Sequence, residues 1–243
     1  MAKVSVVGTT SWGTTLAIIL AQNGSDVFLW ARTNTEAELL KRDGQNARFL
    51  AGHHFSSNLH VTASLAEAIS GSSVVVVVVP SRKFQENIDA VVPFLTDPCI
   101  VLSATKGLER LSGKRMSEIL SEKLPVSFHD KIAVLSGPNL SHEVVQGKPS
   151  STVVASRDES VAKEIQGILG TPTFRVYTNS DITGVELGGA LKNIIAIGSG
   201  ITDGLGYGDN AKAAFITRGL AEIMRLSVAA GAHPTTMAGL AGV

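Results

Sequence analysis

Short β-branched runs alternate with amphipathic stretches from residue 4 to about residue 180. The runs "KVSVVG", "DVFLWA", "NLHVT", "SVVVVVV", "CIVLSAT", "KIAVLSG", "STVVAS" and "FRVYTN" have the lengths and residue types of strands. Between several of them lie helical patterns such as "SWGTTLAIILAQNG", which stop at Gly or Asn as helices tend to. The apolar run Val74 to Val79, closed by Pro80, predicts a central strand buried on both faces. This alternation predicts an α/β fold, a doubly wound Rossmann-type, mainly parallel sheet with helices on both faces. The last strands are expected to extend it in antiparallel fashion.

The pattern changes near residue 181. "DITGVELGGALKNIIAIGSGITDGLG" and "DNAKAAFITRGLAEIMRLSVAAG" read as two long helices with no strand between them, and Asp181 and Asp209 are placed to cap them. Residues 1–180 are therefore expected to form a dinucleotide-binding domain, and residues 181–243 the first part of an all-α substrate domain. The final "MAGLAGV" has no helix stop and no polar tail, which predicts a helical domain cut short.

Composition narrows the function. Lys plus Arg and Asp plus Glu both number 21, so no global field draws in nucleic acid or an anionic membrane, and any charged ligand needs a local cluster. A single cysteine, Cys99, suits a reducing compartment. The apolar runs are far shorter than a membrane span, and the start carries no signal-peptide pattern, so a soluble, cytoplasmic protein is expected. No Cys/His cluster has metal-ligand spacing, and no exposed-serine elbow is present.

The first candidate chemistry is the stretch "VVGTTSWGTTLA" between a strand and a helix. Gly8 and Gly13 match the outer glycines of a phosphate-cradling turn, and Thr10 stands where the middle glycine belongs. A bulkier residue there should push phosphates outward, while its hydroxyl could donate to them. Ser11 offers a second hydroxyl and Trp12 a flat apolar surface. About 20 residues past such a turn an acidic residue commonly binds the ribose 2′-hydroxyl. Arg32 occupies that region and suits a 2′-phosphate, pointing to NADP, with NAD possible. A plain structural corner and a solvated arginine are the simpler readings of the same residues.

Three further segments, "SATKGLE", "LSGPNLSHEV" and "GVELGGALKNIIAIGSG", stand at strand ends or on the first long helix. Together with "GTTSWGTTLA", "RFLAGHHFSSNLHVT" and "VVVPSRKF", the chain closely resembles the bacterial NAD(P)-dependent glycerol-3-phosphate dehydrogenases along nearly its whole length. The resemblance implies a homodimer that interconverts dihydroxyacetone phosphate and sn-glycerol 3-phosphate, supplying glycerophospholipid synthesis. It also implies that Ser11, Trp12, Arg32, Lys106 and Ser141 contact cofactor, that Lys106, Gly137 and Asn139 contact substrate, and that Lys192 transfers the proton. Asn139 stands where Ser or Thr is common in the family, and Ser141 where Ala is usual. The family continues past "GLAG" with a Gly-Asp-Leu segment and a Ser-Arg-Asn run that grips substrate, so weak or absent turnover is expected of this chain as written.

The residues themselves fit that chemistry. Lys192 as an ammonium can polarise a carbonyl and protonate the developing alkoxide, and Asn193 beside it can serve a hydroxyl. Gly188, Gly189 and Ala196 lie one turn away, which is expected to leave ligand space. Leu187, Leu191, Ile194 and Ile195 form a stripe expected to anchor the helix. Two rival readings remain: another two-domain reductase of the 3-hydroxyacid or ketopantoate type, and a non-catalytic NADP-binding relative. The first generally spaces its Lys and Asn a turn apart, whereas here they are adjacent.

Overall fold

The computed structural model describes residues 2–242. The chain runs β1 (Lys3–Val7), α1 (Ser11–Gln22), β2 (Asp26–Trp30), α2 (Asn34–Asp43), α3 (Ala47–Leu50), β3 (Leu59–Thr62) and α4 (Leu65–Ile69). It continues through β4 (Val74–Val77), α5 (Phe84–Val91), β5 (Ile100–Ser103), α6 (Met116–Lys123), β6 (Ile132–Ser136) and α7 (Ser141–Val145). The last elements are β7 (Ser150–Ser156), α8 (Glu159–Leu169), β8 (Phe174–Asn179), α9 (Ile182–Gly204), α10 (Gly208–Ala229) and α11 (Pro234–Met237).

All eight apolar runs are strands, and they form one sheet in the order β3-β2-β1-β4-β5-β6-β7-β8. Strands β1 to β6 pair in parallel, β7 runs antiparallel to β6, and β8 is parallel to β7. The antiparallel extension is thus a single reversal, after which the last two strands agree with each other. β4 lies between β1 and β5, and its four valines are at most 1% exposed. Side chains alternate across a strand, so Val74, Val76 and Val78 enter the core on one face while Val75, Val77 and Val79 enter the other. Two-faced burial is why this run contains no polar position.

The chain winds from β1 outward to β3, then returns to place β4 on the other side of β1. Strand order therefore reverses between β1 and β4, and the loops after those strands diverge there to leave a crevice.

Helix α9 docks on the far half of the sheet. Asp181 caps it through Oδ1, which accepts from the Gly184 amide at 2.8 Å, while Oδ2 accepts from the His233 amide at 2.7 Å. Asp209 is not a cap: α10 begins at Gly208 behind Tyr207, without a side-chain cap. Asp209 instead lies in the first turn, where its charge complements the helix dipole. Glu186 reaches α6, accepting from the Ser117 amide at 2.8 Å, the Ser117 hydroxyl at 2.5 Å and Arg115 Nη1 at 3.0 Å. Burial pushes the Glu186 carboxyl above its ordinary range, opposed by these donors.

The glycines of α9 have a different role from the one expected. A Cβ on Gly189 would lie 2.0 Å from Ser136 Oγ, and one on Gly188 2.3 Å from the Ala241 carbonyl oxygen. Their missing side chains admit β6 and the 241–242 backbone, not a ligand. The apolar stripe also ends early. Leu187 is buried, and Leu191 and Ile195 pack against Ile223 and Met237 of α10 and α11, but Ile194 is 60% exposed. The buried residues of α9 all lie between Gly184 and Gly189, and beyond them the helix packs on α10 and α11 instead of the sheet.

Among the described residues no helix is long and apolar enough to cross a membrane. Replacing Glu186 with Ala leaves the Ser117 amide without its acceptor in a mostly buried contact, while Arg115 keeps Glu118, so urea unfolding should show a loss of about 2 kcal/mol. Glu186→Gln, which keeps an acceptor for Ser117, should lose less in the same measurement.

Candidate active site

The turn after β1 explains its own sequence. Gly8 has φ +119°, and a Cβ there would lie 2.4 Å from the Val78 carbonyl oxygen. A Cβ on Gly13 would lie 2.2 Å from the Gly8 carbonyl oxygen, so both glycines are required by close backbone approach. Thr10 sits at φ −61° and ψ 166°, an ordinary extended conformation that needs no glycine. Its Oγ1 accepts from the Gly13 amide at 3.1 Å and donates to the Val78 carbonyl at 3.3 Å. The Thr10 hydroxyl is therefore spent as the N-cap of α1 and is not offered to a phosphate, contrary to expectation. The amides of Ser11 and Trp12 lie in the first turn of α1, where a helix has no acceptor of its own for them.

Two residues that pattern reading misses brace this turn. Buried Asn46 donates to the Thr9 carbonyl at 2.9 Å and to Thr14 Oγ1 at 2.8 Å. Glu36 accepts from Thr9 Oγ1 at 2.5 Å and from the Arg32 amide at 3.2 Å. Neither has a sequence signal near the glycine motif, because α2 and α3 return to it only in space.

The crevice has two lobes that meet at Thr10, Val79 and Pro80. The inner lobe, about 260 Å³, is lined by Trp12, Thr105, Lys106, Asn139 and Ser141. The outer lobe, about 350 Å³, is lined by Gly8, Trp30, Arg32 and Glu36 among others. Trp12 lies edge-on to Phe174, ring centroids 6.2 Å apart, so part of its surface belongs to the core and part to the crevice. Ser11 Oγ meets Ser141 Oγ at 3.3 Å, and Thr15 Oγ1 donates to the Ser141 carbonyl at 3.3 Å. These bonds tie the start of α1 to the start of α7.

Lys106 follows β5 and turns its ammonium inward, donating to the Gly137 carbonyl at 2.9 Å. Gly137 is confined by β7, since a Cβ would lie 2.9 Å from the Thr152 Cα. Asn139 does not cap α7; its Nδ2 donates to the Ser151 carbonyl at 2.8 Å, and Leu140 is the N-cap residue. Half-buried Lys192 donates to the Leu240 carbonyl at 3.1 Å. It lines neither lobe, yet it is near enough to Lys106 for the two charges to interact. Burial first, and the Lys106 charge second, bring its pKa down to about 8, while burial lowers that of Lys106. Asn193 is exposed and lines neither lobe. The structure thus lines one crevice with the turn, Arg32, Lys106, Asn139 and Ser141, ties Gly137 to it through Lys106, and leaves Lys192, within charge range of Lys106, and Asn193 off its lining.

The family model for the N-terminus of NAD-dependent glycerol-3-phosphate dehydrogenase matches residues 3–162, and that for its C-terminus matches residues 181–243. The chain belongs to the NAD-dependent glycerol-3-phosphate dehydrogenase family. A glycerol-3-phosphate dehydrogenase (NAD(P)+) of Dehalococcoides mccartyi is 50% identical over 244 residues, covering 100% of this chain and 68% of that protein. The Chlorobium phaeobacteroides relative is 48% identical, over 99% of this chain and 72% of its own length. The glycerol-3-phosphate dehydrogenase structure from Coxiella burnetii matches with a TM-score of 0.92 at 36% identity, covering 99% of this chain and 73% of that one. A ketopantoate reductase from Ralstonia eutropha shares only the fold, with a TM-score of 0.57 at 17% identity over 77% of this chain and 59% of that one.

Within this turn, Thr10→Ala should cost about 1 kcal/mol in thermal or urea melts, and Thr10→Gly only a few tenths. Because the hydroxyl is committed to the cap, Thr10→Gly should change NADPH affinity by less than about 3-fold in a fluorescence titration.

Proposed function

We propose that this chain interconverts dihydroxyacetone phosphate and sn-glycerol 3-phosphate with NADP(H) or NAD(H). In this reading it is a cytoplasmic homodimer that supplies glycerophospholipid synthesis, built from a dinucleotide-binding unit over residues 1–180 and a helical substrate unit from residue 181. The observation that supports the reaction is a half-buried Lys192 within charge range of Lys106, its pKa brought down to about 8 by burial first and by the Lys106 charge second.

The turn suits a dinucleotide: Gly8 lets the chain pass directly over the end of β4 into α1, whose N-terminus stands at the crevice with Thr10 and Trp12 on its lining. A nicotinamide bound along the inner lobe supplies hydride chemistry at the carbonyl carbon. Everything else falls to the protein. Ser11 and Ser141 flank the pyrophosphate, Trp12 limits water at the inner lobe, and Arg32 faces the adenosine end. Lys106, the Gly137 segment and Asn139 hold the triose, with Asn193 serving a hydroxyl. The Lys192 ammonium polarises the carbonyl and gives its proton to the oxygen as the alcohol forms. In the oxidative direction its neutral amine takes that proton back.

A pKa near 8 serves both directions, because each protonation state is then available near neutrality. The sign follows directly. Reduction needs the ammonium, so kcat/KM for dihydroxyacetone phosphate should be level below pH 8 and fall above it. Oxidation needs the free amine, so kcat/KM for glycerol 3-phosphate should rise through the same range. Lys106→Met removes a like charge and should move both inflections to higher pH.

The deciding measurement is NADPH oxidation on addition of dihydroxyacetone phosphate, with Lys192→Met as control. The variant should lose about 100-fold or more in turnover while binding NADPH as before. Binding of NADPH without any triose-dependent oxidation by the unaltered chain would favour the non-catalytic reading instead.

A further inference from the structure

The outer lobe holds more charge than the glycine motif requires. Four cations, Arg32, Arg48, Arg82 and Lys83, line it against one carboxylate, Glu36. They come from separate parts of the chain: Arg32 just beyond β2, Arg48 in α3, and Arg82 and Lys83 in the 3-10 turn Ser81–Lys83 that follows β4. Lys83 is committed, with Nζ 2.5 Å from Glu86 Oε2. Glu36 is also engaged, by the Thr9 hydroxyl and the Arg32 amide. Among the described residues, Arg32, Arg48 and Arg82 are in no ion pair, as is also true of Arg110, Arg157, Arg175 and Arg218; what sets the three apart is that they line one lobe. Arg48 is pre-oriented by its neighbour, its guanidinium carbon 5.0 Å from the centroid of the Phe49 ring.

Three guanidiniums without an ion pair line one lobe, with the Glu86 carboxylate in charge range of Arg32 but itself paired with Lys83, so the lobe carries an excess of positive charge in a chain with a formal net charge of zero. A ribose hydroxyl has no use for them. A phosphate monoester, carrying nearly two negative charges and three acceptor oxygens at neutral pH, does. The site lies beside Gly8, at the end of the crevice away from Lys106, where an adenosine ribose falls when the pyrophosphate rests on α1.

Resting on the cofactor reading above, we infer that Arg48 and Arg82 are specificity-determining residues that join Arg32 around the adenosine 2′-phosphate, so that the chain binds NADPH more tightly than NADH. Glu36 keeps NADH admissible. Its carboxylate, steadied by Thr9, retains acceptor capacity for a free ribose hydroxyl, and it stands on the same lobe wall as the arginines.

The test is equilibrium titration of the full chain with NADPH and with NADH, read by nucleotide fluorescence, for the unaltered protein, Arg48→Ala, Arg82→Ala and Arg48→Lys. Each alanine variant should weaken NADPH by about 5-fold or more while NADH changes by less than about 2-fold. Arg48→Lys should recover part of the loss. Raising salt should narrow the NADPH-to-NADH ratio of the unaltered chain, and should narrow it less in the variants. Equal weakening of both nucleotides would overturn the inference, since it would mean that Arg48 or Arg82 stacks on adenine or supports the loop. An unchanged ratio would overturn it too, leaving the arginines as solvated surface groups. Either result leaves the cofactor reading standing. If the unaltered chain binds neither nucleotide, that reading and this inference both fall.

Discussion

The approach of the Gly8 backbone to the Val78 carbonyl is the constraint on which the crevice depends. No side chain fits between them, so the chain leaving β1 can pass directly over the end of β4 before entering α1. Gly13 repeats the condition one turn later against the Gly8 carbonyl, and the Thr10 hydroxyl closes the corner by bonding both the Gly13 amide and the Val78 carbonyl. The result is a helix N-terminus aimed at the one place where strand order reverses. Both lobes open from that corner, and each residue placed in them is useful because of it.

A second set of close contacts brings chemistry to that opening. Gly188 and Gly189 let α9 settle against β6 and the chain at 241–242, while Glu186 holds it to α6 and Asp181 ties its start to His233. With its first turns held on several sides, α9 presents Lys192 at a defined height beside Lys106. Like charges held together in a partly dry setting repel, and that repulsion adds to desolvation in weakening the Lys192 ammonium. Packing elsewhere along α9 therefore helps set the proton affinity of Lys192. The outer lobe follows the opposite logic, because its guanidiniums are gathered with too few carboxylates and so favour a dianion.

Much of the fold could be read from local chemistry. A strand buried on both faces must be apolar at every position, and Val74 to Val79 could hardly be anything else. Asp181 as a cap was legible for the same reason, since its partner is the Gly184 amide three residues on. Asp209 misled because a cap depends on where the helix actually starts, and α10 starts one residue earlier. The glycines flanking Lys192 misled more deeply. Their spacing shows that one helix face lacks side chains, but not whether a ligand or β6 fills the space. Asn46 and Glu36 carry no motif, and Arg48 and Arg82 lie in segments that carry the resemblance without any sign of what they face, because each reaches the crevice only through folding.

Sequence alone, then, determined the elements, their alternation, the glycine turn as a pattern, and the family to which the chain belongs, since these are set by neighbours within a few residues or by runs of matched motif. The tertiary structure decided what those residues do to one another. It turned Thr10 from a phosphate donor into a cap, the α9 glycines from open space into a docking surface, and scattered arginines into one charged lobe. The reason is physical: hydrogen-bond partners, excluded volume and the local field are properties of distance in space, and between elements far apart in the chain only the packed sheet specifies that distance.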